Sequence, residues 1–214
     1  MKRAFTLIEL LVVVAIIALL MGILLPVMGN ARLQAKIVVV NAELREIGLA
    51  LEAYSFDNND KYPPTRVDCA LGDHFYQLPI ELVEGKYLPE PPQDSNMAAG
   101  IEDRFNRGYT YKYRSVGTLI YNRTTVEKEG AYIWVPDNFP SNPPEPEDGN
   151  NYYNLRESPV SWVVYSQGPN FDLRKMKKQN YPVPKETWYN PGQRSGIITR
   201  MRLKNGNQIG SFNN

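Results

Sequence analysis

Met1-Lys2-Arg3-Ala4-Phe5-Thr6-Leu7-Ile8-Glu9-Leu10-Leu11 opens the chain, and the apolar run it begins reaches Met28 with Thr6 and Glu9 as its only strongly polar side chains. A helix that spans a bilayer needs about 20 consecutive apolar residues, and residues 5–28 supply them. Lys2 and Arg3 precede the run, and the bias of positive charge toward the cytoplasm predicts a cytoplasmic N-terminus with the rest of the chain on the far side. A secretory signal peptide has an apolar core of only about 7–15 residues. Gly29-Asn30-Ala31 offers small residues for such a cleavage site, but the run is too long and Glu9 is misplaced. A plain anchor leaves Glu9 without a purpose, because a carboxylate inside a spanning helix is costly and usually has a partner and a task.

Beyond Met28 the helical pattern continues and narrows. Leu33, Ile37, Val40, Leu44, Ile47, Leu51 and Tyr54 recur in steps of four and three, an apolar stripe on one helix face, while Arg32, Lys36, Glu43, Arg45, Glu46 and Glu52 fall off it. An independent coiled coil has the same spacing. With only three heptads and a globular region to follow, the stripe is read as packing on the chain's own sheet. Proline in a helix interior removes a hydrogen bond and crowds the preceding turn, so Pro26 predicts a kink or the end of the anchor. A helix over residues 5–54 is about 75 Å long at ~1.5 Å per residue, half of it beyond the membrane.

Residues 55–64 are rich in Asn, Asp and Pro and end the helix. Asp57, Asn58 and Asp60 have the look of a calcium loop, but the glycine and glutamate of EF-hand spacing do not follow, so the segment reads as a turn. A short second helix is expected over 77–85, stopping at Gly85. Strands are expected at 109–114, where aromatic and polar residues alternate, and at 131–135, 161–165 and 197–201. Residues 136–151, dense in proline, acid and asparagine, read as an exposed loop. The fold class is α+β: one long N-terminal helix packed on a small antiparallel sheet.

Composition limits the function classes. The 214 residues allow one ordinary domain plus a further element, and the net charge of +1 gives no electrostatic reason to expect nucleic acid. Cys69 is the single cysteine, which excludes an intramolecular disulfide. Of 17 prolines and 14 tyrosines only Pro26 precedes residue 51, so one end suits lipid or helix burial and the rest suits water. Cys69 and His74 lie close in sequence, but a nucleophile pair needs spatial contact and an orienting group, and the favoured reading is a surface loop. No Walker, Rossmann, HExxH or GxSxG pattern is present. Function is therefore expected in assembly surfaces rather than in an active site. Asn122-Arg123-Thr124 matches the N-glycosylation acceptor triplet, a pattern that also arises by chance. Tyr132, Trp134, Tyr152, Tyr153 and Trp162 are the aromatic residues a sugar-binding surface would use, and sheet core is the favoured reading for them.

Residues 2–11 resemble the prepilin cleavage and methylation motif of type IV pilin-like proteins. The resemblance implies cleavage by a prepilin peptidase between Ala4 and Phe5, with Phe5 becoming the N-methylated first residue. Ala4 stands where the family usually has glycine, which implies slower processing. Glu9 matches the family's glutamate, and its carboxylate is expected to neutralise the Phe5 amine of a neighbouring subunit and so set the register of assembly. Pro26 matches a proline at which the family's helix bends or melts in the filament. The implied organisation is a leader at 1–4, a transmembrane and filament-core half-helix at 5–28, an amphipathic half-helix at 29–54 and an extracytoplasmic β-rich domain at 55–214.

A second resemblance covers most of the chain. Leu51-Glu52-Ala53-Tyr54, Asn58 to Pro63, Tyr87 to Asp94, Tyr109 to Arg114 and Val164 to Gly168 are similar, in order, to the major pseudopilin of type II secretion, with an insertion after Arg114. That family's C-terminal loop binds calcium, which implies Asn170 and Asp172 as candidate ligands. Trp188-Tyr189-Asn190-Pro191-Gly192 is also similar to prepilin-like proteins present in many copies per genome. The resemblance implies a structural subunit of a secretion pseudopilus. Its implied partners are the prepilin peptidase, further copies of the chain, minor pseudopilins, an inner-membrane assembly platform and the lipid bilayer. A type IV pilus subunit for adhesion or DNA uptake and a prepilin-anchored surface binding protein are the alternatives.

Overall fold

The computed structural model describes residues 6–67, 77–122, 124–131, 133–134, 152–153, 156, 158–170 and 188–213. Ala4, Phe5, Cys69, His74, Tyr132, the 136–151 segment and Asp172 lie outside the described residues, and for Trp134, Tyr152 and Tyr153 only the strand placement is described. Two compact units divide the chain, Met1–Val39 and Val40–Asn214.

The first helix, α1 (Leu7–Asp57), runs for 51 residues and passes through Pro26 without interruption. The helix does not stop there, and residues 6–32 are exposed throughout. On the stripe, Ile37, Val40, Leu44, Ile47 and Leu51 are buried, joined by Ala50 and Ser55. Leu33 and Tyr54 are partly buried. The helix ends three residues later than the sequence suggested. Asn59 and Asp60 adopt φ of 56° and 59°, a left-handed conformation that Asn and Asp tolerate best among residues with a Cβ. The Asn58 side-chain amide donates to the Tyr54 carbonyl at 2.8 Å, and the Asp60 amide donates to the Ser55 carbonyl at 2.9 Å, capping groups that the helix end leaves unpaired.

The main sheet has four strands, β2 (Lys112–Ser115), β7 (Val160–Ser166), β8 (Ile198–Leu203) and β9 (Gln208–Gly210), antiparallel in the order β2-β7-β8-β9. Cross-strand pairing puts Tyr113, Val164 and Arg200 on one face, with Trp162 and Arg202, and Arg114, Val163 and Met201 on the other. The first face meets α1. A Cβ on Gly48 would lie 3.0 Å from the Trp162 ring and 3.7 Å from Arg200 Cδ, so the bare backbone at Gly48 is what lets the indole approach the helix. The second face carries its own cluster of Val160, Val163, Tyr165, Trp188, Ile197 and Met201. A register shift between Val160 and Trp162 turns Val160 toward that cluster. Because both faces are covered, every residue of β2 is buried, Lys112 and Arg114 included. The strand expected at 109–114 begins only at Lys112, and its polar side chains are buried along with its aromatic one.

Two further sheets were not anticipated. β1 (Thr65–Val67), β3 (Gly117–Tyr121) and β4 (Thr125–Ala131) form a sheet in the order β1-β3-β4, in which β1 and β3 are parallel, so the sheets are not all antiparallel. β5 (Ile133–Trp134) pairs with β6 (Tyr152–Tyr153). The strand expected at 131–135 is thus split between β4 and β5. The second helix is shorter than expected, α2 (Glu81–Glu84), and the left-handed residue after it is Lys86, φ 60°, rather than Gly85. Gly85 is needed for space: a Cβ there would fall 2.2 Å from the Tyr87 ring.

The stripe and Gly48 can be tested together. Leu44→Asp places a charge among fully buried neighbours and is expected to abolish cooperative melting of the detergent-solubilised chain. Gly48→Leu should cost about 1–3 kcal/mol by overpacking against Trp162. Parent-like melting of both variants would show that the stripe does not pack on the sheet.

Candidate functional site

The exposed apolar half of α1 begins with a reciprocal cap. Thr6 Oγ1 accepts from the Glu9 backbone amide at 3.3 Å, and Glu9 Oε2 accepts from the Thr6 amide at 2.9 Å and from the Thr6 hydroxyl at 2.7 Å. This is a capping box, in which the first and third positions of the helix start satisfy each other's free donors. The carboxylate that the sequence reading reserved for a neighbouring subunit is therefore engaged within its own chain. The Thr-x-x-Glu spacing was visible at Thr6 and Glu9 and was not used. Behind the cap, Leu7 is 81% exposed, Leu19 68% and Leu25 69%. The helix is long and apolar enough to cross a membrane by length and composition, with none of its most apolar window buried.

The other half of α1 is held to the sheet by two carboxylates. Glu43 accepts from both Nε and Nη2 of Arg104, the Nε bond at 3.0 Å, and from the Tyr111 hydroxyl. Glu52 accepts from Trp162 Nε1 at 3.1 Å and the Tyr62 hydroxyl at 3.1 Å, and pairs with Arg202 Nε at 2.7 Å. Residues nine apart on an α-helix point about 180° from each other, so Glu43 and Glu52 flank the apolar stripe on its two sides. Desolvation, followed by the neighbouring Glu43 carboxylate, pushes the Tyr111 phenol far above its ordinary range. Burial and the Glu52 charge push Tyr62 up to about 12. In the sequence both glutamates looked like members of a solvated face, because nothing local distinguishes them from Glu46.

A third carboxylate, this one fully buried, ties loops together rather than the helix. Asp103 Oδ1 accepts from Ser166 Oγ at 2.6 Å and the Phe105 amide at 2.9 Å, and burial holds its carboxyl above the usual range. Asn170, offered as a calcium ligand, has φ 52° and donates its side-chain amide to the Arg194 carbonyl at 3.1 Å. No group of three or more His, Cys, Asp or Glu placed to hold a metal occurs among the described residues. Trp162 is fully buried, which removes it from any sugar-binding surface.

One comparison with known proteins bears on the same N-terminal region. Residues 1–25 match the family model described as the prokaryotic N-terminal methylation motif. The type IV wide pilus major component PilA4 of Thermus thermophilus is 47% identical over 57 residues, 27% of this chain and 44% of that protein. The type II secretion system core protein G of Pseudomonas aeruginosa is 39% identical over 65 residues, 30% of this chain and 45% of that protein. The chain thus spans less than half the length of each of these relatives. No solved structure matches it.

The clamp generates two predictions. Glu52→Ala leaves the Trp162 N–H buried without its acceptor and should cost about 1–3 kcal/mol, with Glu52→Gln costing less because an acceptor remains. Tyr62 should also make stability fall at alkaline pH. Its folded-state proton is held to about 12 against 10 for a free phenol, so its contribution is intact below pH 10 and lost as pH rises from 10 toward 12. Denaturant midpoints measured across that window should fall in the parent and fall less in Tyr62→Phe.

Proposed function

We propose that the chain is a pilin-like structural subunit, processed at its N-terminus and assembled through α1 into a type II secretion pseudopilus. One observation carries the reading: a half-helix of exposed apolar side chains, headed by Glu9, lies under a methylation motif. In water such a surface is not sustainable, so it belongs first in lipid and then among other copies of the same helix. The prepilin peptidase cuts between Ala4 and Phe5 and methylates Phe5. The second half of α1, held by Glu43 and Glu52, carries the globular unit along when the helix moves from membrane to filament. Minor pseudopilins and an inner-membrane platform are the further partners, and the globular domain lies outside the cytoplasmic membrane. The higher identity of the Thermus pilus component favours a type IV pilus subunit as the second reading. Calcium at Asn170 and Asp172 is a secondary part of the same proposal, supported by a melting temperature that falls on chelation and removed by one that does not.

Within this mechanism the capping box gives Glu9 two partners in succession. In the membrane-stored subunit it caps its own helix through Thr6, and in the filament it pairs with the Phe5 amine of a neighbour. Mass analysis of the mature protein should show loss of residues 1–4 and one methyl group on Phe5. Glu9→Gln should leave cleavage intact and sharply reduce sheared filament yield. An intact N-terminus in cells with an active peptidase removes the processing step, and normal filament yield from Glu9→Gln removes charge pairing as the register device.

A further inference from the structure

The single Asn-X-Ser/Thr triplet of the chain is Asn122-Arg123-Thr124, and its asparagine and threonine flank the turn of a hairpin. Tyr121 closes β3 and Thr125 opens β4, and the two are paired across the strands, with Asn122 and Thr124 next to them at the turn. Asn122 and Thr124 are both exposed. Asn122 has φ 48°, and Thr124 Oγ1 donates to the Asn122 carbonyl at 3.3 Å, which keeps the hydroxyl of the triplet close to its asparagine. Arg123 meets the one demand made of the middle residue, that it not be proline. Beside the tip, Tyr121 is 37% and Val126 59% exposed, an aromatic and an aliphatic surface of the kind that the apolar face of a sugar ring covers.

From these features we infer that Asn122 is an N-glycan acceptor. The donor class is a sugar carried on a lipid diphosphate and transferred outside the cytoplasmic membrane. That placement rests on the orientation given under the proposed function. In the transfer Asn122 Nδ2 forms a bond to the anomeric carbon, the bond from that carbon to the diphosphate oxygen breaks, and one amide proton leaves with the departing lipid diphosphate. The hairpin presents the acceptor without local unfolding, because neither residue read by a transferase is covered by the fold. The left-handed backbone at Asn122 is one that Asn and Asp adopt at little cost, so Asn122→Asp removes the acceptor nitrogen while keeping the turn.

The test is the intact mass and peptide map of the full chain purified from its native membranes, beside Asn122→Asp, Thr124→Ala and Thr124→Ser. A chain of several sugars on the Asn122 peptide is expected, lost in Asn122→Asp and Thr124→Ala and retained at least in part in Thr124→Ser. A bare Asn122 overturns the inference. A single hexose there overturns the lipid-diphosphate donor in favour of direct transfer from a nucleotide sugar. The same spectra report residues 1–4 independently: their loss with a bare Asn122 sinks this inference alone, whereas their retention counts against the proposed function.

Discussion

Glu52 collects the Trp162 indole N–H, the Tyr62 hydroxyl and the Arg202 guanidinium, groups from three segments, of which Trp162 lies 110 residues along the chain and Arg202 farther still. With Glu43 on the opposite flank, it settles a problem that an apolar stripe alone leaves open. A row of Val, Leu and Ile can rotate by part of a turn against a sheet at small cost, since apolar contact is non-directional. Hydrogen bonds are directional, and two carboxylates half a turn apart admit one rotation. The close approach at Gly48 restricts height in the same way, because a Cβ there would crowd the Trp162 ring whose N–H reaches Glu52.

The division of labour along α1 follows from this. Its first part meets no polar demand beyond the Thr6–Glu9 cap and presents apolar side chains in every direction. Its last part is specified on two flanks and along the stripe. One continuous helix thus joins a surface with little orientation preference of its own to one whose orientation is set. That is a suitable division for an element expected to exchange its surroundings at one end and not at the other.

What was legible in the sequence was whatever is periodic over a long distance. The 24-residue apolar run, the three-and-four stripe from Ile37 to Leu51 and the α+β class followed from repetition, and so did the strands around Trp162 and Met201. What escaped was set by contacts between distant segments. β1 is three residues long and exists because β3 pairs beside it and the Thr65 hydroxyl exchanges 2.9 Å hydrogen bonds with the Ser115 backbone. The burial of Lys112 and Arg114 was not legible, because a second layer over the sheet leaves no mark on their own strand. Pro26 does not end the helix, for the opposite reason. Its local penalty is real, yet the apolar run of helix-competent residues continues on both sides of it.

The separation between α1 and its partners also has a kinetic side. The stripe is complete when residue 51 has been made, but Trp162, Arg200 and Arg202 arrive more than a hundred residues later. At roughly 5–20 residues per second of synthesis, that gap lasts on the order of 5–30 s. For that interval Val40, Leu44, Ile47 and Leu51 have no sheet to cover them, although all four are fully buried in the finished domain. The domain's contacts are therefore of high sequence separation, the kind that folds slowly and leaves intermediates open to aggregation. On the proposed function, a nascent chain with its apolar end already held in a bilayer is kept apart from its neighbours during that wait, so that insertion would protect folding before it served assembly.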